Sequence, residues 1–274
     1  MKVYIDPSGG MCNRIMAINA TEQLCRELGC EYSVIWRNNG ECACDYEDIF
    51  EPGDAEVTNI RLPKGRIRQS IEISGLIQAL KDRVQYQRYT DRIRKFRKCQ
   101  FPVNGYPESD ESLKRSFEDF AGGKDMIYIN TCIQYFGKTE IKKEAFNKEI
   151  VMRANERICS IGRYVACHIR RTDNKRSIEK STTESFISVI EDEIKKDPEI
   201  KIYVATDDGV LFSDIKNRFA KSIIDADDIE RSRRTLKGMK DAVYELLILS
   251  GAERLYGSRW STYTDIAKIL HGSR

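Results

Sequence analysis

The residues Cys167-His168-Ile169-Arg170-Arg171-Thr172-Asp173 set an imidazole and a guanidinium two positions apart, directly after the apolar run Tyr164 to Cys167. Side chains alternate along an extended segment, so His168 and Arg170 face one way while Ile169 and Arg171 face the other. The carboxyl end of a strand is where open α/β sheets bind their ligands. A guanidinium there can grip a diphosphate through two parallel N–H···O bonds and offset the charge that grows on a departing phosphate. The bland alternative is a surface pair in which Arg170 and Arg171 are salt-bridged to Asp173 and its neighbours.

Three further groups could join such chemistry. Gly9-Gly10-Met11-Cys12-Asn13-Arg14 lies where a strand feeds a helix, a place whose backbone amides favour anions. Asn13 offers amide donors and Arg14 a phosphate-shaped fork. The spacing is neither G-x-G-x-x-G nor a P-loop, so a structural tight turn is an equal reading. Ile202-Tyr-Val-Ala-Thr206-Asp207-Asp208 ends another strand in hydroxyl and acidic groups. The acids there, like Asp225-Ala-Asp227, could suggest a metal-bound nucleotide, but paired acids commonly open helices, and capping is the preferred reading. Leu255-Tyr-Gly257-Ser258-Arg259-Trp260-Ser261-Thr262-Tyr263 opens the last helix with hydroxyls suited to phosphate oxygens. Upstream, Glu245 lies in the mostly apolar Ala242-Val-Tyr-Glu-Leu-Leu-Ile-Leu, where a carboxylate needs a partner such as a base NH or an arginine.

The elements that must position these groups alternate strand and helix. Lys2–Ile5 reads as a strand, Ile15 to Leu28 as a helix closed by Gly29, and Tyr32 to Trp36 as a second strand, which together make a βαβ unit. The stretch from Ile71 to Arg97 is helical and basic, and Met126 to Cys132 is a buried strand. A charged, helical Ile141 to Ser160 precedes the strand at 164–169. Helix 181–196, strand Ile200 to Ala205, helix 210–220, a short strand at 222–224, helix 239–250, a strand-like Leu255-Tyr256 and helix 263–270 complete the order. The expected fold class is α/β with parallel sheets in two Rossmann-like domains, 1–150 and 151–274, with a cleft between them.

Composition narrows the function. The 274 residues, with 41% hydrophobic and 32% charged, fit a globular chain. The formal charge of +3 does not mark a partner of bulk polyanions, so nucleic acid is not expected. Charge is nonetheless uneven: twelve Lys or Arg stand against three acids between Arg61 and Lys98. That stretch could meet an acidic acceptor, phosphates or an anionic membrane surface, or be a solvated helical face. Nine scattered cysteines, Cys42-Ala-Cys44 among them, offer neither a disulfide framework nor a zinc ligand set. The first residues make too short an apolar stretch for a signal peptide, and no run reaches the length of a membrane span. A cytoplasmic protein, peripheral at most on the inner membrane face, is expected.

Taken together, Gly-Gly-Met-Cys-Asn-Arg, His-Ile-Arg-Arg-Thr-Asp, Val-Ala-Thr-Asp-Asp and Gly-Ser-Arg-Trp-Ser resemble, in order and spacing, the α1,6-fucosyltransferase and protein O-fucosyltransferase superfamily, which includes the nodulation fucosyltransferases. The resemblance covers the carboxyl-terminal half and the first glycine turn. It implies a GT-B fold, an inverting metal-independent transfer, GDP-fucose as donor substrate and no cofactor. Position by position, it implies that Arg170 clamps the β-phosphate and His168 holds the nucleotide, with Arg171, Thr206 and Asp207 beside them. It implies further that Glu245 meets the nucleoside end, that Ser258, Ser261 and Thr262 form the phosphate loop, and that Gly9, Gly10, Asn13 and Arg14 line the amino-terminal turn facing the sugar. Arg259 and Trp260 depart from that loop's usual pattern, Asn174 stands where the core α1,6 enzymes have lysine, and the catalytic base is open between Asp173 and Glu179. The acceptor would be a hydroxyl of a glycan or glycolipid. An α1,2-fucosyltransferase, another nucleotide-sugar transferase, and a non-catalytic nucleotide- or polyanion-binding module are the alternatives.

Overall fold

A computed structural model describes residues 1–61, 73–172, 174–224 and 228–273. Asp173, Asp225 and Asp227 therefore lie outside the described residues, as does much of the basic stretch. The chain forms two compact units, Met1–Glu140 with Arg233–Leu236, and Ile141–Ser232 with Lys237–Arg274.

The first unit is built on four parallel strands, β1 (Lys2–Pro7), β2 (Glu31–Asn38), β3 (Glu56–Arg61) and β4 (Met126–Thr131), in the order β3-β2-β1-β4. Val3 and Ile5 of the interior strand β1, and Ile127 and Ile129 of the edge strand β4 beside it, are fully buried. Helix α1 (Met11–Leu28) makes the crossover from β1 to β2. It ends at Gly29, whose φ of 61° is the left-handed turn a C-cap needs. Helix α2 (Ile73–Phe96) sets Tyr86, Tyr89, Ile93 and Phe96 against Ile35, Ile60 and Tyr128. A shorter α3 (Asp110–Ala121) precedes β4 and is capped by the Ser109 side chain, which accepts a bond from Ser112 N.

The second unit carries three parallel strands, β5 (Tyr164–Ile169), β6 (Lys201–Thr206) and β7 (Arg254–Gly257), in the order β6-β5-β7. All six residues of the central β5 are buried. Five helices join α4 (Lys148–Ile161) here: α5 (Lys175–Lys180), α6 (Thr183–Lys196), α7 (Gly209–Arg218), α8 (Leu236–Gly251) and α9 (Thr262–Gly272). One face of the sheet, through Val165, Cys167, Ile169, Ile202 and Val204, packs on Phe186 and Ile190 of α6 and Ile215 of α7. The opposite face bears His168 and Tyr203, which bond to side chains of α9 and α8 respectively.

Two local expectations are revised. The short strand at 222–224 is reduced to a single bridge between Ile223 and Ile202. The short helix α5, not foreseen, precedes α6, and Thr182 starts α6 by accepting a bond from Ser185 N at 3.2 Å.

Candidate active site

Registry brings the chemistry-bearing residues together at the carboxyl edge of the second sheet. His168 pairs with Gly257 on β7 and Ile169 with Thr206 on β6, so the chain just beyond β5 runs between the segments that leave these two strands. From the β7 side, Ser258 N donates to His168 O at 3.0 Å, and Ser258 Oγ accepts from Arg170 N at 3.0 Å. On the β6 side, Asp207 receives Arg171 N at 2.7 Å on one oxygen. Its other oxygen receives Thr172 Oγ1 at 2.7 Å and Arg170 Nε at 3.1 Å. Backbone and side chain of Arg170 are thus held from both sides.

Asp207 is consequently a positioning group. Its carboxylate oxygens are engaged by the 170–172 turn. The buried hydroxyl of Thr206 accepts Asp208 N at 3.2 Å within the turn into α7. Asp208 does what paired acids were expected to do, capping α7 through Val210 N and Leu211 N. Fixing Nε sets the plane of the Arg170 guanidinium, and a planar fork of fixed plane suits bidentate contact with phosphate oxygens. The side chain remains 27% exposed, so it is neither sealed in the core nor loose in solvent.

Two other arginines make extensive internal bonds. Arg171 spends its guanidinium internally, Nε on Thr183 Oγ1, Nη1 on Arg170 O and Nη2 on Ser181 O. It staples the turn to the start of α6, and burial lowers its pKa. Arg14 is 0% exposed and donates to Gly9 O, Arg37 O and Asn39 Oδ1, with its guanidinium over the Trp36 ring. It braces the Gly9-Gly10 turn from inside. The turn itself matches an anion-favouring geometry: Gly9 has φ 79°, Gly10 is the N-cap of α1, and the carboxylate of Glu41 accepts Gly9 N at 3.2 Å. Asn13 packs against Gly9, 3.3 Å from where a Cβ would lie.

His168 is a neutral member of the site. Its Nδ1 lies 2.7 Å from Thr264 Oγ1, and its ring rests on that of Tyr263 with centroids 4.8 Å apart. Burial, reinforced by the charge of Arg170, lowers its pKa to about 4. Above that pH it offers hydrogen bonds without charge. An unfolded chain protonates this residue near 6.5. As pH falls from there towards 4, the unfolded state takes up a proton that the folded state refuses, and stability drops by about 3 kcal/mol in total. His168→Gln should remove that increment: between about pH 7 and pH 4, denaturant midpoints of the variant should fall less than those of the wild type. Parallel slopes would contradict a buried neutral imidazole.

Close packing sets the His168 contact. A Cβ at Gly257 would lie 2.3 Å from Thr264 Cγ2 and 2.9 Å from its Oγ1. Glycine therefore lets α9 approach near enough to reach the imidazole. Gly257→Ala should displace Thr264, costing about 1–3 kcal/mol of stability. Thermal unfolding of that variant, expected at a lower temperature, checks this.

At the start of α9, Ser261 takes the N-cap position with no capping bond from its side chain, and Asp265 N donates to its carbonyl. The amides of residues 262–264, with Thr262 first in the helix, precede that intrahelical bond at the positive end of the helix dipole. Ser258, three residues earlier, ties this terminus to Arg170. Glu245, buried in α8, accepts the Tyr203 hydroxyl at 3.2 Å. A phenol on β6 is thus one partner of this buried carboxylate. Glu179 is exposed on α5. Among the described residues no group of three or more His, Cys, Asp or Glu is placed to hold a metal ion.

Several members of the site were not foreseen. Thr264, Ser181 and Asn174 are small polar residues whose roles depend on long-range pairing. Ser181 Oγ accepts Arg259 N at 2.9 Å, and Asn174 Nδ2 donates to Trp260 O at 2.6 Å. Only Asn174 carried a local signal, as the N-cap of α5 through Ser177 N.

An arginine held at the carboxyl edge of a parallel sheet, beside a helix amino terminus, is an arrangement that suits an anion in an α/β fold. No family model and no curated sequence matches the chain, but solved structures do. The α1,6-fucosyltransferase NodZ soaked with GDP-fucose aligns with a TM-score of 0.57 at 14% identity, covering 98% of this chain and 92% of that one. POFUT1 in complex with GDP gives 0.57 at 12% identity, covering 99% and 95%. A mutant of Arabidopsis thaliana FUT1 in complex with GDP gives 0.53 at 14%, covering 99% and 68%. The α/β architecture expected from the sequence is thus the fold of these fucosyltransferases.

Proposed function

We propose that the protein is an inverting glycosyltransferase that moves fucose from GDP-fucose to a hydroxyl of a glycan or glycolipid. The observation that carries this reading is the double restraint on Arg170, its amide on Ser258 and its Nε on Asp207. The acceptor oxygen attacks the anomeric carbon from the face opposite the diphosphate. The C–O bond to the β-phosphate breaks, and its electron pair leaves with GDP. The acceptor proton passes to a carboxylate, for which Asp173 and Glu179 remain the candidates, or to solvent. Arg170 and the amino terminus of α9 offset the charge on the departing phosphate, a task given to a divalent ion in enzymes that need one. Neutral His168 would hold the nucleotide with Ser258, Ser261 and Thr262, and Glu245 would meet the nucleoside end.

The outward side of α2 and the residues after it expose Arg83, Arg88, Arg94, Lys95, Arg97 and Lys98. Such a row supports peripheral contact with an anionic membrane surface, where a glycolipid acceptor would be met. No helix among the described residues is long and apolar enough to cross a membrane.

The test is incubation with GDP-fucose in the presence of a chelator, against a panel of other nucleotide sugars, with released nucleotide as readout. GDP should accumulate from GDP-fucose in preference to the others. Absence of turnover, or recovery only on adding a divalent metal, would refute the proposal.

A further inference from the structure

Trp260 is the only described non-glycine residue with positive φ, at 59°. That left-handed conformation disfavours every side chain except glycine and, to a lesser degree, asparagine and aspartate. The backbone on either side is fastened. Asn174 donates to the Trp260 carbonyl, and Arg259 N donates to Ser181 Oγ. Two residues earlier, Ser258 holds the amide of Arg170. Directly after Trp260 comes Ser261, the N-cap of α9.

The indole is also 64% exposed. A turn that glycine would adopt more cheaply instead carries the largest of side chains and projects it into solvent, two residues along the chain from the Ser258 that holds the Arg170 amide. The buried core of the second unit is built without the ring. Strained residues held by their surroundings concentrate where a side chain must be presented to a ligand.

We propose that Trp260 is a ligand-stacking residue of the donor site, taking one flat ring of a nucleoside diphosphate sugar against its indole face. This assignment rests on the donor reading under Proposed function and adds a residue to it. Two rings of the donor offer the required chemistry, the planar nucleobase and the apolar face of the pyranose. Stacking of a base on an aromatic face is worth about a tenfold change in affinity or more.

The chain supplies its own reporter, because it has two tryptophans and the other, Trp36, is fully buried in the core of the first unit. Binding is measured by calorimetry for the wild type, Trp260→Gly and Trp260→Phe, with emission followed in parallel during titration with pyrophosphate, GDP and GDP-fucose. Wild-type emission should change with GDP if the base stacks, or only with GDP-fucose if the sugar does, and pyrophosphate should leave it unaltered. Trp260→Gly should bind the stacking ligand about tenfold to a hundredfold more weakly while unfolding at the same or a higher temperature, since glycine accepts the turn without strain. Trp260→Phe should keep most of the affinity. A glycine variant that binds GDP-fucose as tightly as the wild type would overturn the stacking assignment and leave the donor reading intact. So would wild-type emission that responds equally to pyrophosphate. Failure of the wild type to bind any of the three ligands in the calorimeter would overturn both.

Discussion

Replacing Arg170 by alanine is expected to lower kcat/KM for GDP-fucose by about 10²–10³-fold, the usual consequence of losing one preorganised group that stabilises transition-state charge. The guanidinium is held by Asp207 on one side and by its own backbone bond to Ser258 on the other. Its orientation is therefore set before any ligand arrives. Arg170→Lys keeps the charge but loses the planar fork, and should recover only part of the activity. Because His168 is uncharged at neutral pH, it cannot compensate electrostatically. GDP release from GDP-fucose, with water as a slow acceptor, gives the readout without knowledge of the natural acceptor. Full activity in Arg170→Ala would show that the leaving phosphate is stabilised elsewhere.

Asp207→Ala is expected to have the second largest effect, and on two quantities. The turn beyond β5 loses the acceptor for Arg171 N, Thr172 Oγ1 and Arg170 Nε together. Stability should fall by about 2–4 kcal/mol, as when one partner of a partly buried charged pair is removed. Activity should fall by about 10–100-fold, through misplacement of a guanidinium that is still present. Asp207→Asn, which keeps one acceptor oxygen, should recover much of the stability and less of the activity. A double-mutant cycle separates the two roles. If Asp207 acts on catalysis through Arg170, then in an Arg170→Ala background its replacement should reduce stability with little further loss of turnover. Multiplicative losses would give Asp207 an independent catalytic role.

How much of this was legible in the sequence depended on the distance over which each interaction acts. The β-rich runs at 2–5 and 164–169 carry their own period, and both fold as central buried strands. The alternation that sends His168 and Arg171 to opposite sides holds, His168 to Thr264 on α9 and Arg171 to Thr183 on α6. The bond between Arg171 and Asp207 spans 36 positions, and no local pattern distinguishes an aspartate that orients an arginine from one that caps a helix. The internal partners of Arg14 were hidden for a related reason. Its fork suited a phosphate, but the Asn39 loop and the Arg37 carbonyl, brought in by β2, use it first. Trp260 departed from the expected loop pattern, and only the backbone angle shows what that departure costs.

Most directly, the central claim turns on whether Arg170 recognises the second phosphate. Calorimetric titration of the wild type and Arg170→Ala with GDP and with GMP isolates that contribution and needs no acceptor. The wild type should prefer GDP strongly, and the alanine variant should bind the two nucleotides nearly alike. An Arg170→Ala protein that keeps the wild-type preference for GDP would contradict the claim.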